Sequence, residues 1–169
     1  MSSKRNESFE ALRDAVIIRK RIMNALKFLS LKAQKRAENL RINFEHADTP
    51  EQCNSLKEEI YAEKFNQWLI KEECRTVASI SAELSGSLRS ANTIWPTYMS
   101  EFTERRNYMN RAMAACNILQ DELQYTAEAV YADKNKFTAL ILDIAALFKK
   151  IKSVRQADNR FLKQLNDAN

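Results

Sequence analysis

Apolar residues along this chain return every three or four positions, the spacing that lines one face of a helix. Over residues 8–46 the stripe is Leu12, Val16, Ile22, Met23, Leu26, Leu29, Ala33, Leu40 and Phe44, with Glu10 and Asp14 facing solvent. A start signal follows in Asp48-Thr49-Pro50-Glu51-Gln52. Thr49 caps, Pro50 takes the first helical position, and Gln52 stands three residues after the cap. The second helix, 50–91, carries Leu56, Ile60, Trp68, Leu69, Val77, Ile80, Leu84 and Leu88 on its buried side. Gly86, set between two serines, predicts a bend in it.

The break at 92–97 holds Trp95-Pro96, and the residue before a proline is pushed out of helical geometry. Thr97 or Ser100 then caps a third helix over 98–130. Within it Phe102, Met109, Cys116, Leu123 and Val130 stand seven apart, with Met113 and Leu119 between them: a heptad seam. Asp133 caps a fourth helix, 134–157, with a stripe of Phe137, Leu140, Ile141, Ile144, Leu147, Phe148 and Ile151. A break at Ala157-Asp158-Asn159 precedes a tail, 158–169. The pattern predicts one all-α domain over 1–169: an up-down antiparallel four-helix bundle with a short C-terminal helical tail.

Composition narrows this reading further. One Gly and two Pro leave little material for the tight turns of a sheet protein. No apolar run approaches the roughly 20 residues that cross a bilayer, and the charged N-terminus lacks the apolar core of a signal peptide. Cys53, Cys74 and Cys116 are far apart and odd in number, which points to free thiols and a cytoplasmic setting.

Candidate chemistry is sparse. His46 is the single histidine, whereas a di-iron bundle needs two Glu-x-x-His pairs. The cysteines lack zinc spacing, and Cys116 lies on the seam. A single Gly excludes a phosphate-cradling loop. Tyr131-Ala132-Asp133-Lys134 lacks the second aspartate of a polymerase motif, and Asp133 reads as a cap. Glu58-Glu59 and Glu72-Glu73 read as solvated faces. No catalytic residue, metal ligand or cofactor is expected.

Charge distribution says more than the net +5. Residues 1–42 hold eleven Lys/Arg against four Asp/Glu, 43–100 hold five against nine, and 101–169 hold eleven against nine. The basic residues of the first helix are Arg13, Arg19, Lys20, Arg21, Lys27, Lys32, Lys35, Arg36 and Arg41, and only Glu38 lies between Arg19 and Arg41. Lys149, Lys150, Lys152 and Arg155 add a cluster near the end. Such surfaces, with no base-reading motif, suit backbone phosphate, with little sequence preference and strong salt dependence. Arg105, Arg106 and Arg111 form a further patch on the third helix. Arg106 falls near the seam, four after Phe102 and three before Met109, where it either pairs with a carboxylate of a neighbouring helix or serves a partner.

Several motifs carry a family resemblance. They are the Asn92-Thr93-Ile94-Trp95-Pro96-Thr97 turn, the Glu101-Phe102-Thr103-Glu104-Arg105-Arg106 run, the Asn110…Ala112…Cys116 spacing, Leu123-Gln124-Tyr125, and Arg155-x-x-Asp158-Asn159. On these the C-terminal half, roughly 90–163, resembles the accessory variability determinants of diversity-generating retroelements. Where that family has Lys-Gly-Trp-Arg late in its fourth helix, this chain has Lys-Ile-Lys-Ser-Val-Arg at 150–155. The resemblance implies a four-helix bundle that assembles into a homopentamer. It implies a non-catalytic subunit that binds a reverse transcriptase and its template RNA, or an RNA–DNA hybrid, in error-prone copying of a variable repeat. The competing expectation is a helical protein–protein adaptor of a phage or mobile element without nucleic-acid binding. That reading needs an exposed apolar patch around Trp95, Tyr98, Phe102 or Phe161.

Overall fold

The computed structural model describes residues 3–130 and 134–167, with side chains over 9–130 and 134–165. Five helices follow one another: α1 (Ser3–Glu45), α2 (Pro50–Thr93), α3 (Met99–Ala129), α4 (Lys134–Ala157) and α5 (Asn159–Asp167). The described residues contain no strand. α1 packs on α2 and α4, α3 packs on the same two helices, and α5 rests on α3 and α4. Arg19 of α1 reaches Ser85 of α2, the Ala33 carbonyl accepts from Gln67, and Arg36 meets Glu63. As α1 advances, its partners on α2 recede.

Local chemistry sets the boundaries. Thr49 Oγ1 accepts from the Gln52 amide at 3.2 Å, Gln52 Oε1 accepts from the Asp48 amide, and Pro50 opens the helix. The start of α3 differs from expectation. Neither Thr97 nor Ser100 is the cap; Tyr98 occupies that position. Glu101 reaches back and accepts from the Thr97 amide, the Thr97 hydroxyl and the Tyr98 amide. These bonds, the Thr97 hydroxyl first, hold the Glu101 carboxyl below its ordinary range. α2 continues through Gly86 without a break, and a Cβ there would meet nothing within 4 Å. Asp133, the expected cap of α4, lies outside the described residues.

The heptad seam of α3 is the most regular part of the core. Phe102, Met109, Cys116, Leu119, Leu123 and Val130 are all buried, and Ala112 and Ala115 let neighbouring helices approach closely. α4 contributes Phe137, Leu140, Ile144, Leu147 and Ile151 as expected, with Ile141 and Phe148 half-buried. On α1 the deepest line is Ala11, Ala15, Ile18 and Ile22, while Leu12 and Val16 sit half-buried beside it. The expected stripe favoured large side chains, and Ile22, Leu26 and Leu29 are buried as expected, but Ala11 and Ala15 take the core at the start of the helix. Leu40, Phe44, Leu56 and Ile60 are only half-buried. The recess lined by Leu29, Ala33, Ile70 and Val130 marks where α3 stops, and beyond it α1 and α2 cover only each other.

Trp68 departs furthest from its expected place. It is 55% exposed, and Ile70 occupies the core in its stead. Among the described residues, no helix is long and apolar enough to cross a membrane.

Candidate nucleic-acid interface

The basic residues of α1 divide by position into a paired set and an unpaired set. Arg21 bonds Asp143 of α4, and Lys150 of α4 bonds Asp14 and approaches Glu10 at 3.7 Å. Arg13 approaches Asp14, Arg41 approaches Glu45, and Arg36 meets the buried Glu63 at 3.5 Å. Arg19 donates to Ser85. Arg21 and Arg36 thus hold α1 to α4 and α2, Arg13 and Arg41 pair within α1, and Lys150 ties α4 back to α1. Lys20, Lys27, Lys32 and Lys35 are exposed and make no ion pair among the described residues. Lys149 and Lys152 of α4 are likewise exposed and unpaired, while Arg155 is half-buried with an Nε that meets no hydrogen-bond partner. Lys20 and Lys27 stand seven apart on the side of α1 opposite its buried line, the side a flat polyanion can reach.

The third-helix patch does not hold together as a surface. Arg105, only 7% exposed, is the seam residue, three after Phe102 and four before Met109. Its Nε donates to Asp158 Oδ2 at 2.6 Å, and its Nη1 donates to the carbonyls of Ala91 and Ile94. These bonds tie α3 to the end of α2 and to the α4–α5 bend, so the Arg105 guanidinium has no face left for a partner. Arg106 lies beside the seam, over the Phe102 ring, and donates to Asn159 at 3.0 Å. Arg111 is exposed over the Tyr108 ring. Phe102 and Phe161 are buried, whereas Trp95 and Tyr98 stay exposed, with Trp95 edge-on to Phe161 at 5.0 Å.

One of the acidic pairs departs from its expected place. Glu58 and Glu59 are exposed, but Glu73 is half-buried against Glu122 of α3. Burial raises the Glu73 carboxyl above its ordinary range, and the facing Glu122 adds to the shift. Burial also raises the Cys74 thiol, and it pushes the Cys116 thiol up to about 12. His46 bonds the Ile42 carbonyl at the end of α1. Among the described residues, no three His, Cys, Asp or Glu side chains converge as they would around a metal ion.

A feature that charge counting overlooked lies on α2. Tyr61, Phe65 and Trp68 are 78%, 57% and 55% exposed, and the last two rings stand 5.5 Å apart. Their i, i+4, i+7 spacing was legible as one helix face. The net acidity of 43–100 and the assignment of Trp68 to the core concealed it.

No protein-family model matches this chain, and neither does any curated protein or solved structure.

Proposed function

We propose that this chain is a non-catalytic, cytoplasmic accessory subunit of a diversity-generating retroelement. In this reading it binds a reverse transcriptase and its template RNA, or an RNA–DNA hybrid, and supports mutagenic copying. Its helices form an up-down antiparallel four-helix bundle, which is supported by α2 partners that recede as α1 advances. Copies of the bundle associate as a homopentamer, an assembly drawn from the family resemblance.

The observation that carries the reading is the exposed, unpaired lysines of α1, Lys20, Lys27, Lys32 and Lys35, spread over its outer half on a helix where acids are scarce. Cations left without internal partners are available to phosphate. In the fold Arg105 meets Asp158 and the carbonyls of Ala91 and Ile94, and Arg106 meets Asn159.

The exposed Trp95 and Tyr98 favour a second reading, a protein adaptor with no nucleic-acid partner. A low-salt pull-down from native extract separates the two. Recovery of a reverse transcriptase together with a structured RNA supports the accessory subunit. Recovery of protein alone, insensitive to nuclease, supports the adaptor.

A further inference from the structure

We infer that the outer flank of α2 is a platform for single-stranded nucleic acid, on which bases stack against Tyr61, Phe65 and Trp68 while the phosphates follow Lys57, Lys64 and Lys71. The inference rests on the nucleic-acid reading above and deepens it by naming the form of strand and the place it binds.

Scattered exposed aromatics are ordinary on a protein surface. Three on one helix face within two turns are not scattered. Tyr61 and Trp68 are seven residues apart, about 10 Å along the axis, room for roughly three nucleotides at a 3.4 Å rise. Phe65 lies between them with its ring tilted 38° to that of Trp68. All three residues leave more than half of their surface in water.

The cations beside the rings decide the occupant. Lys57, Lys64 and Lys71 repeat at seven residues, so they form a line along α2 that drifts by only about 20° per step. All three are exposed, and none makes an ion pair among the described residues. The side of α2 that faces α1 is fixed by Gln67 and Ser85, and the side that faces α3 by Glu73. At 100° per residue the lysine line falls on the α1 side of the aromatic stripe, Glu58 falls on its α3 side, and Glu72, paired with Arg75, falls within the stripe. The register of Arg36 with Glu63 and of Ala33 with Gln67 sets Lys27 of α1 within about two turns of Lys71. The flank therefore presents rings with a line of cations along the edge nearer α1. A single strand wants this combination, with stacking faces for bases and a cationic track for its backbone. A duplex, whose bases are already stacked on each other, gains nothing from the rings.

Fluorescence anisotropy at low salt with labelled oligo(U) and a labelled RNA duplex of equal length tests the inference on the full chain. The double variant F65A/W68A should lose at least about tenfold in affinity for oligo(U) and keep its affinity for the duplex. K64Q/K71Q should lower the salt slope for oligo(U) by about 1.4, two phosphate contacts at 0.7 each. Trp68 and Trp95 are the only tryptophans. In a W95F background, oligo(U) should therefore quench the fluorescence of Trp68, a signature that does not depend on the alanine variants. If F65A/W68A binds oligo(U) as tightly as the parent, or Trp68 is not quenched at saturation, the platform is overturned while the accessory-subunit reading stands. A parent that binds the duplex but not oligo(U) has the same consequence. A parent that binds neither overturns both.

Discussion

The guanidinium of Arg105 on α3 closes on the carboxylate of Asp158, which forms the bend between α4 and α5, with Nε and Oδ2 2.6 Å apart and both residues buried. The same guanidinium satisfies the carbonyls of Ala91 and Ile94, at the end of α2. One side chain thus serves three helix ends. Removing one member of a buried pair strands the other's charge, which costs about 3–5 kcal/mol. Arg105→Met should lower the unfolding free energy by about that amount in urea titrations, and Arg105→Lys should also be destabilising, because an ammonium cannot reproduce the planar fork. The double variant R105M/D158L should recover only the part owed to the stranded Asp158 charge, because the carbonyls of Ala91 and Ile94 still lack their donor. Equal stability of R105M and the parent would mean that the pair does not hold the helix ends together.

Glu73 and Glu122 give the fold a pH dependence of defined sign. Burial, and then the facing Glu122, raises the Glu73 carboxyl. The folded chain therefore holds this proton more tightly than the unfolded one. The contribution is fully present below the ordinary glutamate value of 4.5 and is lost as pH rises through the folded value. Glu73→Gln keeps the shape and cannot ionise. In thermal melts it should unfold above the parent at pH 7.5 and level with it at pH 4. A variant that melts below the parent at pH 7.5 would show that the carboxylate stabilises the α2–α3 contact.

Cys116 is fully enclosed on the seam of α3, and its thiol is pushed up to about 12 by burial. The thiolate is the reactive form, so this cysteine should resist alkylation at pH 8 until the helices part. Mass spectrometry after timed labelling should show Cys116 unmodified in native buffer and labelled in urea, in step with loss of helical signal. Its labelling at the rate of Cys53 would place an opening motion along α3 that the packing does not provide for.

Much of the fold was legible because helix periodicity is a local property. The seam of α3 could be read from five residues at sevenfold spacing, and the start of α2 from Thr49, Pro50 and Gln52. What stayed hidden depends on neighbours. Ala11 and Ala15 lie deeper than Leu12 and Val16, whereas hydrophobicity ranks leucine first. Arg105 was read as surface because charge normally is, although its own spacing from Phe102 and Met109 put it on the seam. Asp158, its partner, is 53 residues away. Of the candidate interface, the excess of cations on α1 was visible. Which of them are consumed by Asp143 and Glu63 was not, since those acids come from other helices.

The central claim is that the unpaired cations of α1 bind nucleic-acid phosphate, and a salt titration addresses it most directly. Affinity for a structured RNA would be measured between 50 and 200 mM salt for the parent and for K20E/K27E/K35E, three exposed residues whose exchange leaves the core intact. The parent's log affinity should fall linearly with log salt, with a slope of about 3 or steeper if four or more phosphates are engaged. The variant should bind at least about tenfold more weakly, with a slope smaller by about 2 to 3. A parent that does not bind at 50 mM salt, or a variant with the parent's affinity and slope, would contradict the account.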